Sequence, residues 1–190
     1  LGSVGIPLSA NEPDTEQILA NCTETKARPT LAVMGYRDGD TRLTYPRYGG
    51  ERAVELFEML KSLSDFVIVD CMSNPNESLL SLAALETASQ TVRLCTPELP
   101  SISWHRTQKA VWESAFPWGD MNQGLDLTDN SNLPVEEARE QLGEVSFLLP
   151  FSREIRSAMS CGNLYAKDAG DRVWTGRMRE IAAQVVGNAG

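Results

Sequence analysis

Hydrophobic and polar positions along the chain fall into two kinds of pattern. The first is the short, unbroken apolar run. Phe66-Val67-Ile68-Val69-Asp70 is continuous and β-branched, and it is too short for a helix. Thr91 to Thr96 is similar and ends at Pro97, where a ladder must stop. Val145 to Leu149 ends the same way at Pro150. All three predict interior strands. Thr30 to Met34, closed by Gly35, predicts a fourth strand, and Gly124 to Thr128 a weaker fifth.

The second pattern has helical spacing. Ala53, Val54, Leu56, Phe57, Leu60 and Leu63 share one stripe, with Glu51, Glu55, Glu58 and Lys61 on the opposite face. Ser78 to Ala88 is rich in Leu and Ala, which suits a helix packed on a sheet. Ser101 to Trp112 follows Pro100, a favourable residue in a first turn. After Pro134-Val135, Glu136 and Glu137 place two carboxylates at a positive helix end. Ser152 is positioned to cap a helix through Met159, and a last helix runs from Arg172 to Val186 and stops at Gly187. Segments about 116–123 and 37–50 predict surface loops. Buried strands alternating with helices predict one α/β domain over residues 1–190, a mostly parallel sheet with helices on both faces.

Composition narrows the functions open to such a fold. The chain has 190 residues and a net charge of −9. No basic stripe with interleaved aromatics is present, so nucleic acid is not an expected partner. No apolar run approaches the roughly 18 residues needed to span a bilayer, and Leu1 to Ile6 carry no basic start of a signal peptide. Cys22, Cys71, Cys95 and Cys161 form no close pair, and His105 is the single histidine, so a zinc site is not expected. These thiols predict a reduced protein in a cytoplasmic setting. His105 stands beside Ser103 without the partners of a catalytic triad. Trp104, Trp112 and Trp118 read as packing around one helix and loop, or as a partner surface. The last helix lacks a basic amphipathic face suited to a membrane surface.

The most informative stretch is Asp65 to Pro100. An apolar strand delivers Asp70 to its carboxyl end, where α/β sheets bind ligands. The run SDFVIVD, the later LLSLAALETASQTVRLCTPELPSI, and the block LPVEEAREQLGEVSFLLPFSREIRSAMSCGNLY together resemble the MinD/ParA-type P-loop ATPases. PTLAVMGYRDGD is similar to the strand and loop preceding the family's Walker B helix. Most of residues 30–187 takes part, and the pattern resembles above all the pilus-assembly branch called TadZ or CpaE.

The resemblance implies a three-layer P-loop fold, ATP with Mg²⁺, a homodimeric switch, and partners in pilus or secretion machinery. It matches Asp70 to the Walker B aspartate, which orients the water shell of Mg²⁺. It matches Asn130 to an asparagine that hydrogen-bonds adenine, and Pro150, Phe151 and Ser152 to a Pro-Tyr-Asp turn beside the base. Phe for Tyr and Ser for Asp are departures, and Asn130 also suits an ordinary turn.

A larger departure concerns the phosphates. A phosphate cradle needs Gly-x-x-x-x-Gly-Lys followed by Ser or Thr. None of Lys26, Lys61, Lys109 and Lys167 follows a glycine. In the family that loop follows a central strand, whose omission would leave two unpaired edges in a core. The expectation is a P-loop segment upstream of Leu1; the alternative is a degenerate scaffold that binds no nucleotide.

Overall fold

The computed structural model describes residues 2–25, 28–41, 43–115, 121–127, 133–163 and 171–187. The chain divides into two compact units, Leu1–Thr87 and Ala88–Gly190.

In the first unit, α1 (Gly5–Ser9) and α2 (Thr15–Ala20) precede an antiparallel pair, β1 (Thr23–Thr25) and β2 (Arg28–Val33). Asp14 caps α2 by accepting from the Gln17 amide at 2.7 Å, satisfying one of its orphan donors. The predicted fourth strand therefore exists, but in a hairpin exposed along its length. Helix α3 (Gly50–Leu63) turns its predicted stripe inward, burying Ala53, Leu56 and Phe57. Leu56 meets Val4, Leu8 and Ile18, while Ala53 and Phe57 meet Ala83 and Ala84 of α4 (Leu79–Thr87). The small alanines let the two helix backbones approach closely.

One expectation fails in this unit. Phe66–Asp70 forms no ladder with any described residue, and it is largely exposed, with Ile68 at 93%. Only Val67 and, just beyond it, Cys71 pack against the α3–α4 core. A continuous β-branched run expresses a demand for burial, but a strand exists only when a second backbone takes its hydrogen bonds. Among the described residues none does.

The second unit is a parallel sheet in the order β3–β4–β5, formed by Thr91–Cys95, Met121–Asp126 and Phe147–Leu149. The register pairs Cys95 with Leu125 and Leu125 with Leu148, which puts these three on one face. Helices α5 (Leu99–Ala115) and α6 (Val135–Leu142) cover that face, with Ile102, Ala138 and Leu142 against Cys95 and Leu125. Both crossovers step the same way across the sheet, so a fixed connection hand puts both helices on the same side. Gly143 ends α6 at φ 85°, a left-handed conformation that other residues resist, and its N–H bonds to the Arg139 carbonyl at 2.9 Å.

The opposite face carries Asn122 and Gly124 of β4 and Phe147 of β5, and it meets the last helix, α8 (Arg172–Gly187). Gln184 of α8 bonds to the Asn122 side chain at 3.3 Å. Gly124 is required by close approach: a Cβ there would lie 2.2 Å from the Phe147 ring. This is an α/β fold with helices on both faces of a parallel sheet, as expected.

The strand ranking is corrected. Thr91–Cys95 and Phe147–Leu149 are the two edges of this sheet, and the interior strand is Met121–Asp126, the weakest of the signals. Its start also lies in what reads as a loop, because Asn122 and Gln123 are polar yet buried. Both find partners: Asn122 bonds to Gln90 at 3.0 Å, and Gln123 donates to Cys95 Sγ at 3.9 Å. Trp118 lies outside the described residues.

Candidate functional site at the strand ends

Parallel pairing puts the carboxyl ends of β3, β4 and β5 on one side, where connections diverge and leave room for a ligand. Each end is held by a local device. After β3, the Thr96 amide donates to Ser101 Oγ at 3.1 Å and the Glu98 amide to the Thr96 carbonyl at 2.8 Å, tightening the Thr-Pro-Glu turn into α5. After β4, the Leu127 amide donates to the Leu149 carbonyl at 2.9 Å, carrying the pairing one residue further.

After β5 come Pro150, Phe151 and Ser152. Pro150 ends the ladder. Ser152 is buried, and its Oγ accepts from the Ile155 amide at 3.2 Å, making it the cap of α7 (Arg153–Ser160) as predicted. Asp171 caps α8 by accepting from the Trp174 amide at 2.7 Å. That bond, with a smaller contribution from the Ser152 hydroxyl, holds the Asp171 carboxyl below the usual range. Both helix ends are therefore occupied by protein oxygens. Phe151 lies half-buried, with the Arg156 guanidinium 6.0 Å from its ring centroid.

Of the residues singled out from the sequence, Pro150, Phe151 and Ser152 are consecutive at this strand-end site of the second unit. Asp70 belongs to the first unit. Asn130 lies outside the described residues. Asp126 was not singled out, although it ends β4, among the described residues the one strand with neighbours on both sides. Burial pushes its carboxyl above the usual range. Its signal was an acid between Leu125 and Leu127, hidden because that strand was ranked last.

Asp70 is exposed, and no hydrogen bond or ion pair holds it among the described residues. Asn74 and Asn76 instead bond with each other and with Glu77, so the local capping role does not apply. Asp70 contributes to raising the Cys71 thiol pKa, after burial as the larger cause. No group of three or more His, Cys, Asp or Glu side chains forms a metal cage among the described residues. An exposed carboxylate without protein partners fits a magnesium ion held chiefly by nucleotide phosphates, where Asp70 would accept hydrogen bonds from the metal's waters. When bound, that ion would supply charge neutralisation at the phosphates.

A groove of about 780 Å³ runs between α5 and α6, walled by Leu99, Ile102, Arg106, Leu133, Glu137 and Gln141. Arg106 bridges it to Gln141 at 2.9 Å. It belongs to the helix pair, and its walls include none of the strand-end residues. His105 of α5 is fully buried, with Nδ1 3.8 Å from Cys95 Sγ. Burial first, then Arg93 and Lys109, lower its pKa to about 4, so it is neutral at pH 7.

The fold is similar to that of two solved structures. One is a ParA family ATPase from Chlorobium tepidum TLS, at TM-score 0.70 and 17% identity, covering 88% of this chain and 68% of that one. The other is the cell division ATPase MinD of Pyrococcus furiosus, at TM-score 0.63 and 14% identity, covering 95% and 83%. No family model and no curated protein matches the chain. The fold is thus of the MinD/ParA ATPase type. Among the described residues no helix is long and apolar enough to cross a membrane, and all four cysteines are free thiols.

Proposed function

We propose that residues 1–190 belong to an ATP-binding, dimeric MinD/ParA-like switch that positions or assembles pilus or secretion machinery, as in the TadZ/CpaE branch. The observation that supports it most is the likeness in fold to two ATPases over most of the chain. In this reading Asp70 orients magnesium's waters, and Asn130 with the Pro150-Phe151-Ser152 turn receives the adenine. Ser152 in place of an aspartate keeps the capping of α7 and gives up a charge.

The second reading is a degenerate scaffold or localisation protein that binds no nucleotide. Residues 1–190 alone provide no phosphate cradle, so the two readings differ in whether a glycine-rich loop with a lysine is supplied from outside them.

The two readings separate in a titration of the whole protein with ATP, with and without Mg²⁺. The switch reading expects Asp70→Asn to weaken Mg²⁺-ATP binding by about 10–100-fold, as outer-shell changes do. An exposed carboxylate without protein partners contributes little to the fold, so the melting temperature should not move. Absence of Mg²⁺-dependent binding in the wild type would favour the scaffold; unchanged binding in the variant would remove Asp70 from the site.

A further inference from the structure

We propose that Asp126, at the end of β4, reads the bound base by accepting a hydrogen bond from the exocyclic amino group of adenine. The inference rests on the nucleotide-binding reading above and adds to it the residue that selects the base. Asp126 lies on a strand paired on both sides, so its setting does not depend on an open edge of the sheet. Its Cα partner is Leu149 of β5, and the next amide, that of Leu127, donates to the Leu149 carbonyl at 2.9 Å. Adjacent strands lie about 4.8 Å apart, so Asp126 stands beside the point where β5 runs into Pro150, Phe151 and Ser152.

Alternation along β4 sends Leu125 into the α5–α6 core and Asp126 to the other face, with Asn122 and Gly124. Asn122 is partnered there by Gln90 and Gln184. Asp126 is half-buried, and no hydrogen bond or ion pair holds its carboxylate among the described residues. Two other side-chain acceptors near these strand ends are engaged: Ser152 takes the Ile155 amide and Asp171 the Trp174 amide. A carboxylate drawn out of water without a donor is costly, in keeping with the upward push on its pKa, and a ligand bringing an N–H would remove that cost.

The acceptor also limits what can be read. An ionised carboxylate accepts hydrogen bonds and donates none. The ring nitrogens on the edges of adenine are acceptors, so the amino group is the base-edge donor that Asp126 can take. Phe151, half-buried in the neighbouring turn, offers an apolar ring to the flat of a base, and the Arg156 guanidinium lies 6.0 Å from its centroid. A ribose hydroxyl is also a donor, but in the nucleotide reading the turn after β5 receives the base, and Asp126 borders that turn.

The probes are ATP, purine riboside triphosphate, which lacks only the exocyclic amino group, and 2′-deoxy-ATP, each titrated into the whole protein with Mg²⁺. The wild type should bind ATP about tenfold tighter than purine riboside triphosphate, the difference of a single charge-assisted hydrogen bond. In Asp126→Leu the two should bind alike. Asp126→Asn keeps a neutral acceptor, so part of the preference should remain. If Asp126→Leu does not fold, the wild type and Asp126→Asn decide between them. Equal wild-type affinity for ATP and purine riboside triphosphate would overturn the inference and leave the nucleotide reading intact. A preference that survives in Asp126→Leu, with both ligands weakened equally, would do the same and make Asp126 a structural group. A preference for ATP over 2′-deoxy-ATP that Asp126→Leu abolishes would overturn the base assignment in favour of the ribose. No binding of any of these nucleotides by the wild type would sink the nucleotide reading itself, and this inference with it.

Discussion

Phe66–Asp70 and Met121–Asp126 reverse the ranks that their sequences suggest. The first is five residues with four consecutive large apolar side chains, and it forms no ladder, with Ile68 93% exposed. The second reads Met-Asn-Gln-Gly-Leu-Asp, yet it is the interior strand, with Asn122, Gln123, Gly124 and Leu125 all buried. Apolar content measures how much a segment gains from being covered. Whether it is covered depends on a second backbone and a packing helix. In Met121–Asp126, β3 and β5 supply the hydrogen bonds, and glycine supplies room for Phe147.

The sharpest way to break this comparison is to fill that room. Gly124→Val should destabilise the protein by about 3 kcal/mol or more, since its Cβ would fall 2.2 Å from the Phe147 ring, which must then leave its site. Denaturant unfolding checks this, and Phe147→Leu in the same chain should restore part of the loss because the two sites are coupled. An unchanged midpoint would mean that the β4–β5 contact does not form.

A smaller effect reports on the closed face of β3. His105 titrates near 4 when folded and near 6.5 when unfolded, so between these values the unfolded chain binds the extra proton. Its contribution is full above pH 6.5 and is lost as pH falls, reaching roughly 3 kcal/mol below pH 4. Subtracting the stability profile of His105→Leu from that of the wild type should isolate this slope. Parallel profiles would show that the imidazole is hydrated, and the burial of α5 on β3 would be wrong.

The smallest effect belongs to the uncovered run. In a chain of these 190 residues, Ile68→Ser should change stability by less than about 0.5 kcal/mol, because an exposed side chain loses almost no contact. It should also reduce binding of a hydrophobic dye. A loss of about 2 kcal/mol would mean that the segment finds a partner in solution, and the contrast with β4 would collapse.

Much was legible in the sequence. Helix α3 follows from spacing, α4 from its Leu and Ala content, α6 from the carboxylates after Pro134, α7 from Ser152 as a cap, α8 from its apolar positions and its stop at Gly187, and the α/β class from alternation. These features depend on residues within a turn or two of one another, where local geometry suffices. The class of α5 was also readable, although it begins earlier, at Leu99, and ends later, at Ala115. Of the candidate site, the turn after β5 was readable because Pro150 and Ser152 act locally. Asp126 was not, because its importance comes from standing between two strands.

The sequence by itself therefore determined which segments gain from burial and, for most of the longer helices, that a helix forms there. Only the tertiary structure decided which strand became interior, that Asn122 and Gln123 could be buried, and that Arg93 would lie against two tryptophans. Those outcomes depend on hydrogen bonds and contacts between residues tens of positions apart. No periodicity within a single segment encodes them.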